Sequence, residues 1–186
     1  MAVWLDIIGS FVIGALLALN VMSMNADITA YSHKNTLTYA AQVNALTIAE
    51  IFDYDLRKAG YGVDSTAITA ADTAQIQFLA YNDSSGVADT LNYYATSPDS
   101  AANTPNPNDR RLYRVLNSTS QMIGTGVTTF QLSYFNAVGD SLTLPVTLDD
   151  IRQIRLDLTV ESTSPYDTTY VQVFMQLRIR PKNLGS

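Results

Sequence analysis

From Ile7 to Met24 every position is apolar or glycine except Ser10, Asn20 and Ser23. Wound as an α-helix, a run of about 18 such residues reaches roughly 27 Å, close to the hydrocarbon thickness of a bilayer. The segment predicts a membrane-competent helix. From Ala26 onward the pattern becomes one-sided, with Leu37, Ala41, Ala45, Ile48, Phe52 and Leu56 recurring at three- and four-residue steps. No proline occurs before Pro98, so one continuous helix to about Lys58 is expected. Arg57 and Lys58 suit the negative end of its dipole, and Gly60 and Gly62 supply the stop. Such a helix is roughly 80 Å long, far more than a domain of this size can bury along its length. Its first half must therefore be covered by lipid or by other subunits.

After Gly62 the pattern shifts to short alternating runs punctuated by Asn, Asp, Ser, Pro and Gly, the signature of antiparallel strands joined by turns. Ile154, Leu156, Leu158 and Val160 lie on one face of a strand, with Arg155, Asp157 and Thr159 on the other. Val171, Val173, Met175, Leu177 and Ile179 alternate in the same way, so residues 164–168 are the turn of a long hairpin. Weaker strands are expected near residues 76–80, 91–95, 112–116 and 128–135. Residues 97–109, with Pro98, Pro105 and Pro107, form a surface loop. The fold class is α+β: residues 1–30 a hydrophobic transmembrane or filament-core helix, 31–60 its amphipathic continuation, and 61–186 a β-rich head.

The 186 residues match one domain, and 47% apolar against 15% charged residues excludes a disordered acidic chain. A net charge of -6 argues against a nucleic-acid partner, which needs clustered Lys and Arg. With no cysteine and a single histidine, His33, the chain has no disulfides, thiolate metal sites or histidine pairs. Asp53 with Asp55, and Asp149 with Asp150, are the pairs that invite an acid–base reading. Asp53 and Asp55 do not share a helix face, however, and Arg57 is a natural i,i+4 partner for Asp53. Asp149 and Asp150 precede a strand and read as turn. No catalytic residue is assigned, no enzymatic activity is expected, and His33 beside Lys34 reads as surface. The loop from Asn103 to Asp109 is rich in oxygen-bearing side chains that suit calcium, yet it lacks the spaced acidic ligands of an EF-hand, so neither metal nor cofactor is assigned. Tyr93, Tyr94, Tyr113, Tyr134, Tyr166 and Tyr170 fall in or beside predicted strands, either as a contact surface or as cross-strand stabilisers. Asn82-Asp-Ser and Asn117-Ser-Thr fit the glycosylation triplet, a short pattern of little weight here.

The run Ile48-Ala-Glu-Ile-Phe-Asp-Tyr-Asp-Leu-Arg-Lys-Ala-Gly-Tyr61 resembles the end of the long helix in PilW-type minor type IV pilins and J-type pseudopilins. Leu112-Tyr-Arg-Val, residues 126–139 and Ile151-Arg-Gln-Ile-Arg-Leu-Asp-Leu are similar in order and spacing to that family's later strands, so the resemblance spans nearly the whole chain. It implies a structural subunit of an extracellular pilus-like filament, held in the inner membrane before assembly. Its partners would be copies of itself and, as separate proteins, an assembly platform and an ATPase. The helix-end motif would be Asp55, Leu56, Arg57, Gly60 and Tyr61. The family's basic leader and its glutamate at the fifth mature position are not present in this sequence. If Met1 were trimmed, Asp6 would become fifth and stand in for that glutamate, pairing with a neighbouring chain's terminal ammonium. The other reading places Asp6 at headgroup level beside Trp4. Small residues at Gly9, Ser10, Gly14, Ala15 and Ala18 suit close helix packing, and Trp4, Asp6, Gly9, Phe11, Gly14, Leu16 and Leu17 are the expected assembly residues. A low-copy minor pilin or secretion pseudopilin is one alternative; a bitopic membrane-anchored binding protein is another. A cleaved signal peptide fits poorly, because no Lys or Arg precedes Lys34.

Overall fold

The computed structural model describes residues 2–81, 86–101 and 104–185. Met1, the Asn82 triplet and Asn103 therefore lie outside the described residues. A single helix, α1, runs Ala2–Leu56. It is followed by β1 (Ile68–Ala71), β2 (Gln75–Ala80), β3 (Asp89–Ala95), β4 (Arg110–Leu116), β5 (Thr119–Phe135), β6 (Ser141–Leu142), β7 (Gln153–Glu161) and β8 (Gln172–Ile179). Short 3-10 turns stand at Pro98–Ala101 and Leu148–Asp150. The strands form one antiparallel sheet in the order β1-β2-β3-β4-β5-β7-β8, with β6 added to the end of β5. The α+β architecture read from the pattern is the one observed.

The alternation of side chains dictates how helix and sheet meet. Ile154, Leu156, Leu158 and Val160 of β7 turn inward, as do Phe130, Leu132 and Tyr134 of β5 and Ile76 and Phe78 of β2. Against them α1 lays Ala41, Ala45, Ile48, Phe52 and Leu56, all buried. Phe52 is the hub, edge-to-face with Tyr93 at 5.1 Å and with Phe130 at 5.9 Å. Opposite α1, Gly124 of β5 leaves room for Ile48; a Cβ there would overlap the Ile48 side chain.

The helix stops at Leu56, two residues before the expected end, and residues 57–62 form turns. Gly60, at φ 80°, turns its N–H onto the Leu79 carbonyl at 2.8 Å, and a Cβ on it would lie 2.8 Å from the Asn183 carbonyl oxygen. Only glycine combines that conformation with that approach.

Three differences from the sequence expectation have physical causes. The strand expected over 128–135 begins at Thr119, because Thr119, Ser120, Gln121 and the exposed Met122 pair with β4 on a face where no apolar alternation is required. β1 and β6 are too short to carry a readable period. The loop over 97–109 does lie outside the sheet, but Ala101, Asn106 and Asp109 within it are buried.

The β7–β8 hairpin is longer than the helix contact needs. Its turn, with Pro165, Tyr166 and Asp167, faces α1 across an open cleft whose helix side is lined by Met22, Asn25, Ala26, Thr29, Ala30 and His33. Lys34 Nζ sits 5.7 Å from the Tyr166 ring, within cation–π reach. Among the described residues, nothing covers the apolar run of the helix before that turn.

Candidate functional site

Along the first half of α1, Val3, Trp4, Leu5, Ile7, Ile8, Phe11 and the other large apolar residues through Met24 are exposed on every side of the helix. Trp4 is 72% and Phe11 77% accessible, values expected of charged side chains in a folded protein. The best 18-residue window has a mean hydropathy of 2.1 and is 0% buried by the rest of the chain. The segment is long and apolar enough to cross a membrane.

Three of the polar side chains in this half are turned back onto the helix backbone. Ser10 Oγ donates to the Asp6 carbonyl at 2.7 Å, Asn20 Nδ2 to the Leu16 carbonyl at 2.9 Å, and Thr29 Oγ1 to the Asn25 carbonyl at 2.8 Å. Each of these donors is satisfied four residues back, which lowers the cost of placing it away from water. The Asp6 carboxylate, by contrast, has no hydrogen bond and no ion pair among the described residues.

The expected assembly residues ring the helix instead of forming one face. At 3.6 residues per turn Trp4 and Phe11 share one side with Gly14 nearby, Asp6 and Leu17 share another, and Gly9 and Leu16 lie roughly opposite Phe11. Gly9 and Gly14 have no atom within 4 Å of where a Cβ would stand, so this head does not require their smallness.

The helix-end motif divides by role. Asp55, the residue whose importance the sequence conceals, is 2% exposed. Its Oδ2 accepts from Tyr93 Oη and from Arg114 Nε, both at 2.5 Å. Burial pushes the Tyr93 hydroxyl well above its usual pKa, and the bond to Asp55 adds to the effect. The same carboxylate holds the Arg114 guanidinium more firmly protonated, against the opposing effect of burial. Leu56 is in the core, while Arg57 is exposed and pairs with Asp53 at 2.7 Å as the i,i+4 spacing required. Tyr61 is exposed. Asp55, Leu56 and Gly60 thus fasten helix to sheet.

The tyrosines do not form one surface. Tyr93 and Tyr134 are buried, the latter donating to the Asp72 carbonyl at 2.7 Å, so a partner-contacting role is excluded for both. Tyr94 and Tyr113 stack at 5.3 Å. Asn117 occupies the β4–β5 turn with its amide on Asp89 at 2.7 Å. Asp149 accepts from Thr66 Oγ1 at 2.7 Å in an exposed 3-10 turn, apart from Asp53 and Asp55. Among the described residues no three His, Cys, Asp or Glu side chains cluster as metal ligands. Compared with known proteins, the chain matches no family model and no curated sequence.

Proposed function

We propose that this chain is a structural subunit of a pilus-like surface filament, polymerising through the first half of α1. The observation that supports it is the uncovered apolar half of the helix, which carries large side chains on all sides and glycines its own head does not use. A membrane stores such a helix before assembly; in the fibre, lipid contacts are exchanged for helix contacts, where small residues let backbones approach. An unpaired carboxylate at the helix mouth costs up to about 3 kcal/mol in an apolar setting, and a terminal ammonium from the next copy offsets that while fixing axial register. No catalytic step is required of the chain. An assembly platform and an ATPase would act as separate proteins, with the subunit moving from inner membrane to cell surface. The resemblance of residues 48–61 to PilW-type minor pilins and J-type pseudopilins favours a second form of the reading, a few copies at a tip or in a short fibre.

Electron microscopy of material sheared from producing cells tests it. Fibres whose core contains residues 2–30 support the filament reading, and short or tip-located assemblies support the low-copy form. Particles that stay monomeric in detergent, from cells that display fibres lacking this chain, refute both. Asp6→Lys is expected to abolish incorporation while leaving the membrane-held subunit intact.

A further inference from the structure

From Asn35 to Ala49 α1 carries no charged residue, although the sheet covers only one side of it. Ala41, Ala45, Ile48 and Phe52 take the sheet side. Tyr39, Val43 and Leu46 follow one another at steps of four and three, so they share a side turned away from the sheet, and all three are exposed, Tyr39 to 69%. A helix lying on a soluble domain ordinarily sets charged residues opposite its buried stripe. Here that side holds large apolar and aromatic groups, with Asn35 and Gln42 between them.

Four polar side chains of this stretch are closed on the protein itself. Thr36, Thr38 and Thr47 each donate Oγ1 to the carbonyl four residues back, at 3.0, 2.9 and 2.9 Å. Asn44 donates its amide to the Thr125 carbonyl of β5. Taking the helix surface out of water therefore leaves these donors satisfied. Toward the amino terminus the same side runs on through Tyr31, Ile28, Met24 and Val21, all exposed, into the bare half of the helix. Lipid does not account for it. Asn35 lies about 20 Å beyond Met22 and Ala49 about 40 Å, clear of a bilayer spanned by the shaft between Ala2 and Met22.

We propose, resting on the filament reading above, that this outer side of α1, from Asn35 to Leu46, receives the apolar run of a second copy of the chain. The segment received is the uncharged stretch 7–26, whose large side chains point in all directions and whose Gly9, Gly14, Ala15 and Ala18 admit close approach. Copies delivered from one membrane point the same way, so the two helices run parallel. The charge-free interval 35–49 lies wholly against 7–26 only when the second copy is displaced along the axis by about 23–28 residues, roughly 35–42 Å. A smaller displacement brings Asp27 of the second copy over the face, and a larger one brings its Asp6 there. Giving and receiving surfaces differ, so the contact repeats without closing on itself, as a fibre requires.

The test uses the full-length chain in its producing cells, with the fibres sheared off and purified. The chain has no cysteine, so Ala18→Cys and Val43→Cys placed in separate copies report the contact. Co-expressed and oxidised, they are expected to give a disulfide-linked dimer in fibres, whereas Val3→Cys with Val43→Cys is not. Val43→Glu and Tyr39→Glu should each lower the share of the chain found in fibres at least about tenfold, with the membrane-held amount and the unfolding temperature in detergent unchanged. Val138→Glu, at an exposed position between β5 and β6, should enter fibres like the parent. Fibres that take up Val43→Glu and Tyr39→Glu at the parent's level, or that give no dimer between positions 18 and 43, overturn the contact and leave the filament reading intact. Cross-linking of Val43→Cys to a different protein in place of a second copy overturns the choice of partner. A parent chain that enters no fibre overturns the filament reading, and this contact with it.

Discussion

Replacing Asp55 by Asn tests what fastens the helix to the sheet. The carboxylate is 2% exposed, and one oxygen receives both Tyr93 and Arg114 at 2.5 Å. Asparagine keeps the shape and one acceptor but removes the charge that compensates a guanidinium whose side chain is only 18% exposed. Breaking a fully buried pair costs about 3–5 kcal/mol; water reaching the Arg114 edge lowers this to about 2–3 kcal/mol. For a chain of this length that is a fall in unfolding temperature of about 4–12 °C. The assay is thermal unfolding of the full chain in detergent, followed by near-ultraviolet circular dichroism of the tyrosines. The single tryptophan, Trp4, lies on the bare part of the helix and would not report on the head. Arg114→Met leaves the carboxylate buried with Tyr93 alone and should cost at least as much. The double variant should cost less than the sum by about 0.5–3 kcal/mol. If Asp55→Asn unfolds within 2 °C of the parent, or the two changes simply add, the pair does not hold the helix in place.

Further consequences can be measured on the same material. Gly124→Ala should destabilise by about 1–3 kcal/mol, because the added methyl meets Ile48, and Ile48→Val in the same chain should restore most of it; no rescue would mean the clash lies elsewhere. Tyr93 and Tyr134 have their pKa values raised by burial, so the stability they contribute is fully present below the usual tyrosine pKa near 10 and is lost as pH rises above it. Two of the eleven tyrosines should ionise only together with loss of the near-ultraviolet signal; independent ionisation of all eleven would contradict the packing. Asp109→Asn should be the more stable chain at neutral pH, since burial raises the pKa of Asp109 and makes its charged form a liability. That advantage should vanish below about pH 4, where the parent carboxyl is protonated in both folded and unfolded states.

The period of the apolar residues was enough to place α1, the β7–β8 hairpin and the inward faces of β2, β3 and β4. Burial of Ile48, Phe52 and Leu56 follows from their spacing, since a helix shows one face to a sheet. The Arg57–Asp53 pair was equally readable, being local. What stayed hidden depends on contacts far apart in the chain. Nothing near Asp55 announces that Tyr93 and Arg114, 38 and 59 residues later, converge on it. Asp109 looks like any loop aspartate until the fold closes over it. The first half of α1 is the reverse case: its apolar run is plain in the sequence, and the structure adds that the head leaves it bare.

The resting place of Tyr166 on the helix acts as a depth gauge. Between Ala2 and Met22, the first helix residue to line the cleft beneath the hairpin turn, the shaft measures about 31 Å, nearly the span of a hydrocarbon layer. In any bilayer the head could sink no further without dragging Lys34 and Asp167 into oil, and a thicker layer would be met by thinning around the protein instead of by deeper immersion. Shortening the shaft by one turn should therefore leave the hairpin pressed against the headgroups, and adding a turn should make the shaft lean.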